Sequence, residues 1–224
     1  MLLLAADTSG KYGSLALARC GPAESCEVLE VLPLEGGTFS AQLVPQIAGL
    51  LARHALSKKD IDAFAVASGP GSFTGLRVGL AAIKALAEVM AKPIATVSLL
   101  EAVAASCGAQ GRLIAVLDAG RAEVYAGEYE VGSSIRMLRE SLLTRDEFMD
   151  LARGQLVVTP DKAIAQLARE SAGTAREVDR PRSDAIARLA WRKIQAGETV
   201  APEVLEANYI RRSDAEIFAK RPVH

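Results

Sequence analysis

"GPGSFTGLR", residues 69–77, follows the apolar run "AFAVAS" (63–68) and precedes a long segment rich in alanine and leucine. The order strand, glycine-rich loop, helix marks an α/β unit. Three glycines in seven residues bring backbone close to something, either a phosphate or another part of the chain. Neither standard phosphate cradle fits. A P-loop needs G-x-x-x-x-G-K-[ST], but here Gly71 and Gly75 are too close and Leu76-Arg77 stand where Lys-Ser/Thr belongs. A Rossmann fingerprint needs G-x-G-x-x-G. Gly69 and Gly71 fit, and the third glycine comes one residue late. Two readings remain: a helix N-terminus that offers free N–H groups to an anion, or a crossover in which backbone packs on backbone.

The helix expected after the loop, about 75–91, carries only Arg77, Lys84 and Glu88 as charges, and at 100° per residue these form one stripe. The rest is apolar or small, so the helix must be covered on nearly all sides, by its own chain or by another. Gly79, Ala82 and Ala85 permit close approach of a second helix. A first amphipathic helix is expected at 40–56, with Ser40 as N-cap, Pro45 in or near the first turn, and Leu43, Ile47, Leu50 and Leu51 on one face.

Outward from these helices the pattern is α/β throughout. "LLLAA" (2–6) reads as a buried strand, "DTSGKYG" as a turn, and "SLALA" as the returning strand of a hairpin, with "CEVLEVLPL" as a third strand. Ser98 with Glu101 and Thr144 with Glu147 have capping-box spacing. "QLVVTP" is a further strand, and helices follow at about 161–171 and 183–196. The second half echoes the first. "LIAVLDAGRAEVYAGEY" repeats the scheme of "LLLAADTSGKYGSLAL", with Asp118 in the place of Asp7. This implies a duplicated α/β architecture, divided here as 1–105 and 106–224, with the closing tail free to pack back on the first unit.

Composition bounds the function. The 224 residues are 50% hydrophobic with a net charge of −1, enough for a sizeable core and without a global field to attract nucleic acid. The cluster Arg211, Arg212, Lys220 and Arg221 is modest, and most such clusters are solvated surface. Three cysteines without a C-x-x-C pair argue against a disulfide framework or a zinc knuckle and fit a reducing compartment. The apolar start has no basic n-region, and no run approaches the ~18 apolar residues of a membrane-spanning helix. A cytoplasmic protein is expected. With histidine only at His54 and His224, there is no H-x-x-x-H or H-E-x-x-H pair for zincin chemistry and no G-x-S-x-G elbow. Asp7, where a strand ends, has two readings: the acid that helps hold a metal-bound nucleotide in actin-like folds, or the acceptor of an Asx-turn. Asp118 has the same two.

Taken in order, "LLLAADTSGKYGSLAL", "AVASGPGSFTGLRVGLAAIKALA", "PIATVSLLEAVA" and "VLDAGRAEVYAGEY" resemble the bacterial TsaB (YeaZ) family over residues 2 to about 130, and "ANYIRR" is similar to that family's closing signature. The chain departs from many relatives at Phe39, where they carry a histidine. The resemblance implies the fold of actin, Hsp70 and sugar kinases, with two related subdomains. It implies a non-catalytic scaffold or dimerisation subunit in the formation of N6-threonylcarbamoyladenosine in tRNA beside the anticodon. Its partners would be a catalytic TsaD paralogue and a TsaE ATPase, which use the ATP and magnesium, and tRNA would be reached through the complex. No cofactor is expected for this chain, and alone it would form a homodimer. The candidate partner-interface residues are Leu43, Ile47, Leu50, Arg77, Leu80, Ala82, Ile83 and Lys84. A degenerate nucleotide site would comprise Asp7, Thr8, Gly71, Ser72 and Asp118. The rival reading is a stand-alone actin-fold ATPase or kinase that uses those five residues.

Overall fold

The computed structural model describes residues 1–210. The basic cluster at 211–221 lies outside them. Leu2–Asp7 (β1) is buried along its whole length, as expected of a strand covered on both faces. It pairs antiparallel with Gly13–Cys20 (β2), which pairs with Cys26–Leu34 (β3). Phe39–Arg53 (α1) leads through a short turn, capped by Ser57 and Asp60, to Ala63–Gly69 (β4), parallel to β1. Phe73–Met90 (α2), Ile94–Ser98 (β5) and Leu99–Ser106 (α3) complete this half.

The second half runs in the same sequence of elements: Gly111–Gly120 (β6), Glu123–Val131 (β7), Ile135–Thr144 (β8), Arg145–Ala152 (α4), Leu156–Thr159 (β9), Lys162–Glu170 (α5), Thr174–Glu177 (β10) and Ser183–Gln195 (α6). The sheet orders are β3-β2-β1-β4-β5 and β8-β7-β6-β9-β10, so β6 stands where β1 stands and Asp118 where Asp7 stands. Two copies of one topology, each a five-stranded mixed sheet with helices, make an actin-like α/β architecture.

The period of two along β1 assigns its faces. Leu2, Leu4 and Ala6 join an outer core with α1 and α2. Leu3 and Ala5 join a middle core in which α3 and α6 lie between the two sheets, with Trp191 and Leu117. A third core places α4 and α5 on the second sheet through Phe148 and Ile164.

Several local expectations are corrected. The residue before α1 is Thr38, not Ser40, and Pro45 lies in the helix's second turn on an exposed face. Ser98 caps α3, but Glu101 turns away from the capping box to pair with Lys193 at 2.7 Å. The short β10 has polar sequence and no strand period, and pairing with β9 alone defines it.

The chain after α6 returns to the first sheet. Val200 bridges Ile94, Leu205 enters the outer core, and the Asn208 N–H donates to the Ser68 carbonyl at 2.8 Å. The charged stripe of α2 serves this return. The Arg77 guanidinium lies 3.8 Å from the centre of the Phe73 ring and donates to the Tyr209 hydroxyl, and Lys84 donates to the Glu203 carbonyl. Glu140 of β8 accepts from Ser98, Tyr129 and Asn208, joining both sheets and the tail in one polar cluster. Burial and the Glu140 charge push the Tyr129 hydroxyl well above its ordinary pKa.

The start of α2 is set by contact with the turn after β1. A Cβ on Gly71 would lie 2.4 Å from the Ser9 carbonyl oxygen, one on Gly75 2.1 Å from the Thr8 carbonyl oxygen, and one on Gly79 2.2 Å from Thr8 Oγ1. Gly75→Ala is therefore expected to overpack this contact and cost about 1–3 kcal/mol. Gly132→Ala, with open space around it and no positive φ, should change stability by less than about 0.5 kcal/mol. Urea unfolding of both variants measures the difference.

Candidate functional site

The two hairpin turns face each other across a cleft of about 640 Å³. Ser9, Gly10 and Lys11 come from the first turn, and Asp118 and Arg121 from the second. The glycine loop, with Gly71 and Ser72, forms another wall. Arg180, from the segment before α6, and the returning tail at Asn208 and Tyr209 complete the lining.

Of the five nucleotide-site candidates, Gly71, Ser72 and Asp118 line this cleft. Asp7 and Thr8 are buried behind it. Asp7 Oδ1 accepts from the Ser9 N–H at 2.9 Å and from the Ser9 hydroxyl at 2.5 Å, which is the Asx-turn reading of this residue. Burial raises its pKa above the ordinary carboxylate value, opposed by the Ser9 hydrogen bonds and the Arg180 charge. The Thr8 hydroxyl donates to the Gly75 carbonyl. The Ser72 hydroxyl caps α2 by accepting from the Gly75 N–H, and the Ser72 N–H donates to the Ser9 carbonyl at 2.6 Å. Asp118 accepts from the Gly120 N–H, and its own N–H donates to Asp161.

The Ser72 and Gly75 N–H groups of the glycine loop are thus engaged by the chain itself. Gly69, with a φ of +119°, makes the bend that leads from β4 into the loop. The sequence reading did not mark Lys11, Arg121, Arg180 or Tyr209 as cleft residues. Arg180 and Tyr209 lie in segments without period, far along the chain from both turns they face, so no local signal announced them.

The interface candidates divide in two. Leu43, Ile47, Leu50, Leu80 and Ile83 are buried in the chain's own outer core, so they are not members of an outward surface in this structure. This corrects the expectation for these five. A helix packed on a sheet spends its largest apolar side chains on that sheet. Arg77 and Lys84 hold the tail. Ala82 is half-buried beside the core. The outward residues are smaller. Ala41, Val44, Ala48 and Ala52 face out from α1, and Ala81, Ala85 and Val89 from α2, with Val44 52% and Val89 81% exposed.

No helix among the described residues is long and apolar enough to cross a membrane, and no group of three His, Cys, Asp or Glu side chains among them is arranged for a metal ion. His54 contacts Glu30, which also pairs with Arg53.

Paired hairpin units facing one another across a cleft, with helices sandwiched between their sheets, define an actin-like protein. The comparisons carry this to a family. The model described as TsaD, tRNA N6-adenosine threonylcarbamoyltransferase, matches residues 36–201. The tRNA threonylcarbamoyladenosine biosynthesis protein TsaB of Escherichia coli strain K12 is 29% identical over 228 residues, covering 96% of each chain. The protein of the same name from Haemophilus influenzae is 31% identical over 180 residues, 77% of this chain and 70% of that one. The Bacillus subtilis protein of that name is 35% identical over 131 residues, 58% of this chain and 56% of its own length. The solved structure of YeaZ from Pseudomonas aeruginosa superposes with a TM-score of 0.73 at 25% identity, covering 93% of this chain and 99% of that one. The chain belongs to the TsaB (YeaZ) family.

The buried carboxyl gives a test with a defined sign. Because the folded pKa of Asp7 is raised, the folded state holds the proton more tightly than the unfolded one. Its contribution to stability is largest below the unfolded value near 3.8 and is lost as pH rises through the folded pKa. Asp7→Asn keeps the acceptor for Ser9 and removes the buried charge. The variant should gain stability relative to wild type as pH rises from 3.8 towards neutrality, as measured by denaturant midpoints across that range. A relative loss in that direction would contradict the burial argument.

Proposed function

We propose that this chain is a non-catalytic scaffold subunit in the formation of N6-threonylcarbamoyladenosine in tRNA. It would work beside a catalytic TsaD-like paralogue and a TsaE-like ATPase, with tRNA reached through the assembled complex. ATP and magnesium belong to those partners in this reading, and the chain needs no cofactor of its own. The names of its relatives support the pathway. The observation that carries the scaffold role is the outward face of α1 and α2. Val44 and Ala48 are exposed on α1, and Ala85 and Val89 on the neighbouring α2, where a surface helix would normally carry charge. An apolar face of this kind calls for a partner. The engaged donors around Asp7 and Ser72 support the same reading, because a working phosphate site would leave them free for ligand.

Two experiments follow. The purified chain alone should transfer no threonylcarbamoyl group and bind no Mg-ATP by calorimetry. Turnover or a saturable heat would favour the stand-alone ATPase or kinase, whose basic cleft holds Lys11, Arg121 and Arg180. Without its partner, the chain should cover the α1–α2 face with a second copy, since an isologous contact hides both patches at once. Ala85 is exposed, so Ala85→Glu should leave the fold intact and put an unpaired charge into that contact at a cost of about 3–5 kcal/mol. That is enough to abolish a dimer formed at tens of micromolar. Sedimentation equilibrium of wild type and variant, with circular dichroism as the folding check, reads the outcome. A wild-type chain that stays monomeric at those concentrations would remove the homodimer.

A further inference from the structure

Cys20 and Cys26 stand directly opposite each other at the turn end of the β2–β3 hairpin. Both backbone groups of Cys20 point the other way. Its N–H donates to the Met1 carbonyl and its carbonyl accepts from the Met1 amino group, each at 2.8 Å. The Cys20–Cys26 pair is therefore of the non-hydrogen-bonded kind, in which opposing Cα atoms are about 4.5 Å apart. Disulfides accept Cα separations of about 4.4–6.8 Å. The two thiols are free and already in contact, with Sγ atoms 3.0 Å apart. A tight turn holds the register, with the Gly21 N–H donating to the Ser25 carbonyl. The hairpin tip is tied to α6 by Glu24 and Arg192 at 2.9 Å.

We propose that Cys20 and Cys26 form a redox-modification site, a dithiol that a small-molecule disulfide such as oxidised glutathione converts reversibly to a cross-strand disulfide. Exposure assigns the roles. Cys26 is half-buried and reachable, while Cys20 is buried. The hydrogen bond from Cys20 and the charge of Arg188 lower the Cys26 thiol pKa, and the Cys20 thiol is raised. The Cys26 thiolate attacks one sulfur of oxidised glutathione and releases one glutathione thiolate. Cys20 then gives up its proton, attacks Cys26 Sγ in the mixed disulfide and releases the second glutathione. Two protein S–H bonds and one reagent S–S bond become one protein S–S bond and two glutathione thiols. Cys107 lies outside the pair. It sits at the end of α3, where its thiol donates to the Ala104 carbonyl and accepts from the Ala109 N–H.

The test incubates the full chain in glutathione buffers of graded redox ratio, alkylates the remaining thiols under denaturing conditions, and maps the peptides by mass spectrometry. Cys20 and Cys26 should lose alkylation together, with the linked peptide two hydrogens lighter, while Cys107 stays alkylated. A dithiol reductant should restore both sites. Cys107→Ser should titrate like wild type, and Cys26→Ser should leave Cys20 alkylated throughout. Persistent alkylation of Cys20 and Cys26 in the oxidised buffers would overturn the proposal. So would a stable glutathione adduct on Cys26, or a disulfide that involves Cys107 or a second chain.

Discussion

The arrangement depends on one close contact, the first turns of α2 against the turn after β1. Gly71, Gly75 and Gly79 let the helix backbone touch Ser9 and Thr8 at distances that a side chain would forbid. Thr8 and Ser9 then supply the hydrogen bonds that fix the loop. The contact sets the direction of α2 across the first sheet. It therefore determines which of the helix's residues are buried beneath it, which meet the returning tail, and which are left outside. It also engages the Ser72 N–H with the Ser9 carbonyl, while the Ser72 hydroxyl takes the Gly75 N–H. One geometric fact thus sets both the shape of the loop and the face that α2 turns outward.

The tail is a second constraint. A polar stripe on an apolar helix invites reading as part of an external interface, but Arg77 and Lys84 are satisfied by residues of the same chain more than a hundred positions away. Glu140 extends this to the second sheet by accepting from Ser98, Tyr129 and Asn208. Donors from two sheets and the tail converge on one carboxylate, so the arrangement of the halves and the path of the tail are fixed together. A part-buried network that joins three segments is costly to leave half-satisfied.

The fold was legible where periodicity was local. The hairpin ending in Asp7, its echo ending in Asp118, and the helices near 40–56 and 75–91 could be read because apolar spacing alone defines such elements. What depended on tertiary contact could not. Glu101 abandons its capping box for Lys193, and β10 exists only through β9. Leu43, Ile47 and Ile83 looked like candidates for an outside surface because one helix pattern cannot say which apolar side meets its own sheet. At the site, both readings of Asp7 were available from the turn chemistry. The Asx-turn itself became visible only with the position of Ser9 and the burial of the carboxyl. The cleft cations Arg180 and Lys11 carried no motif at all.

The central claim is that the glycine loop packs on its own chain. Amide hydrogen exchange at Ser72 and Gly75, with and without Mg-ATP, tests it most directly. Both N–H groups are donated internally, Ser72 to the Ser9 carbonyl and Gly75 to the Ser72 hydroxyl. The account predicts slow exchange at both sites that Mg-ATP leaves unchanged. Fast exchange in the free chain that becomes slow when Mg-ATP is added would contradict it.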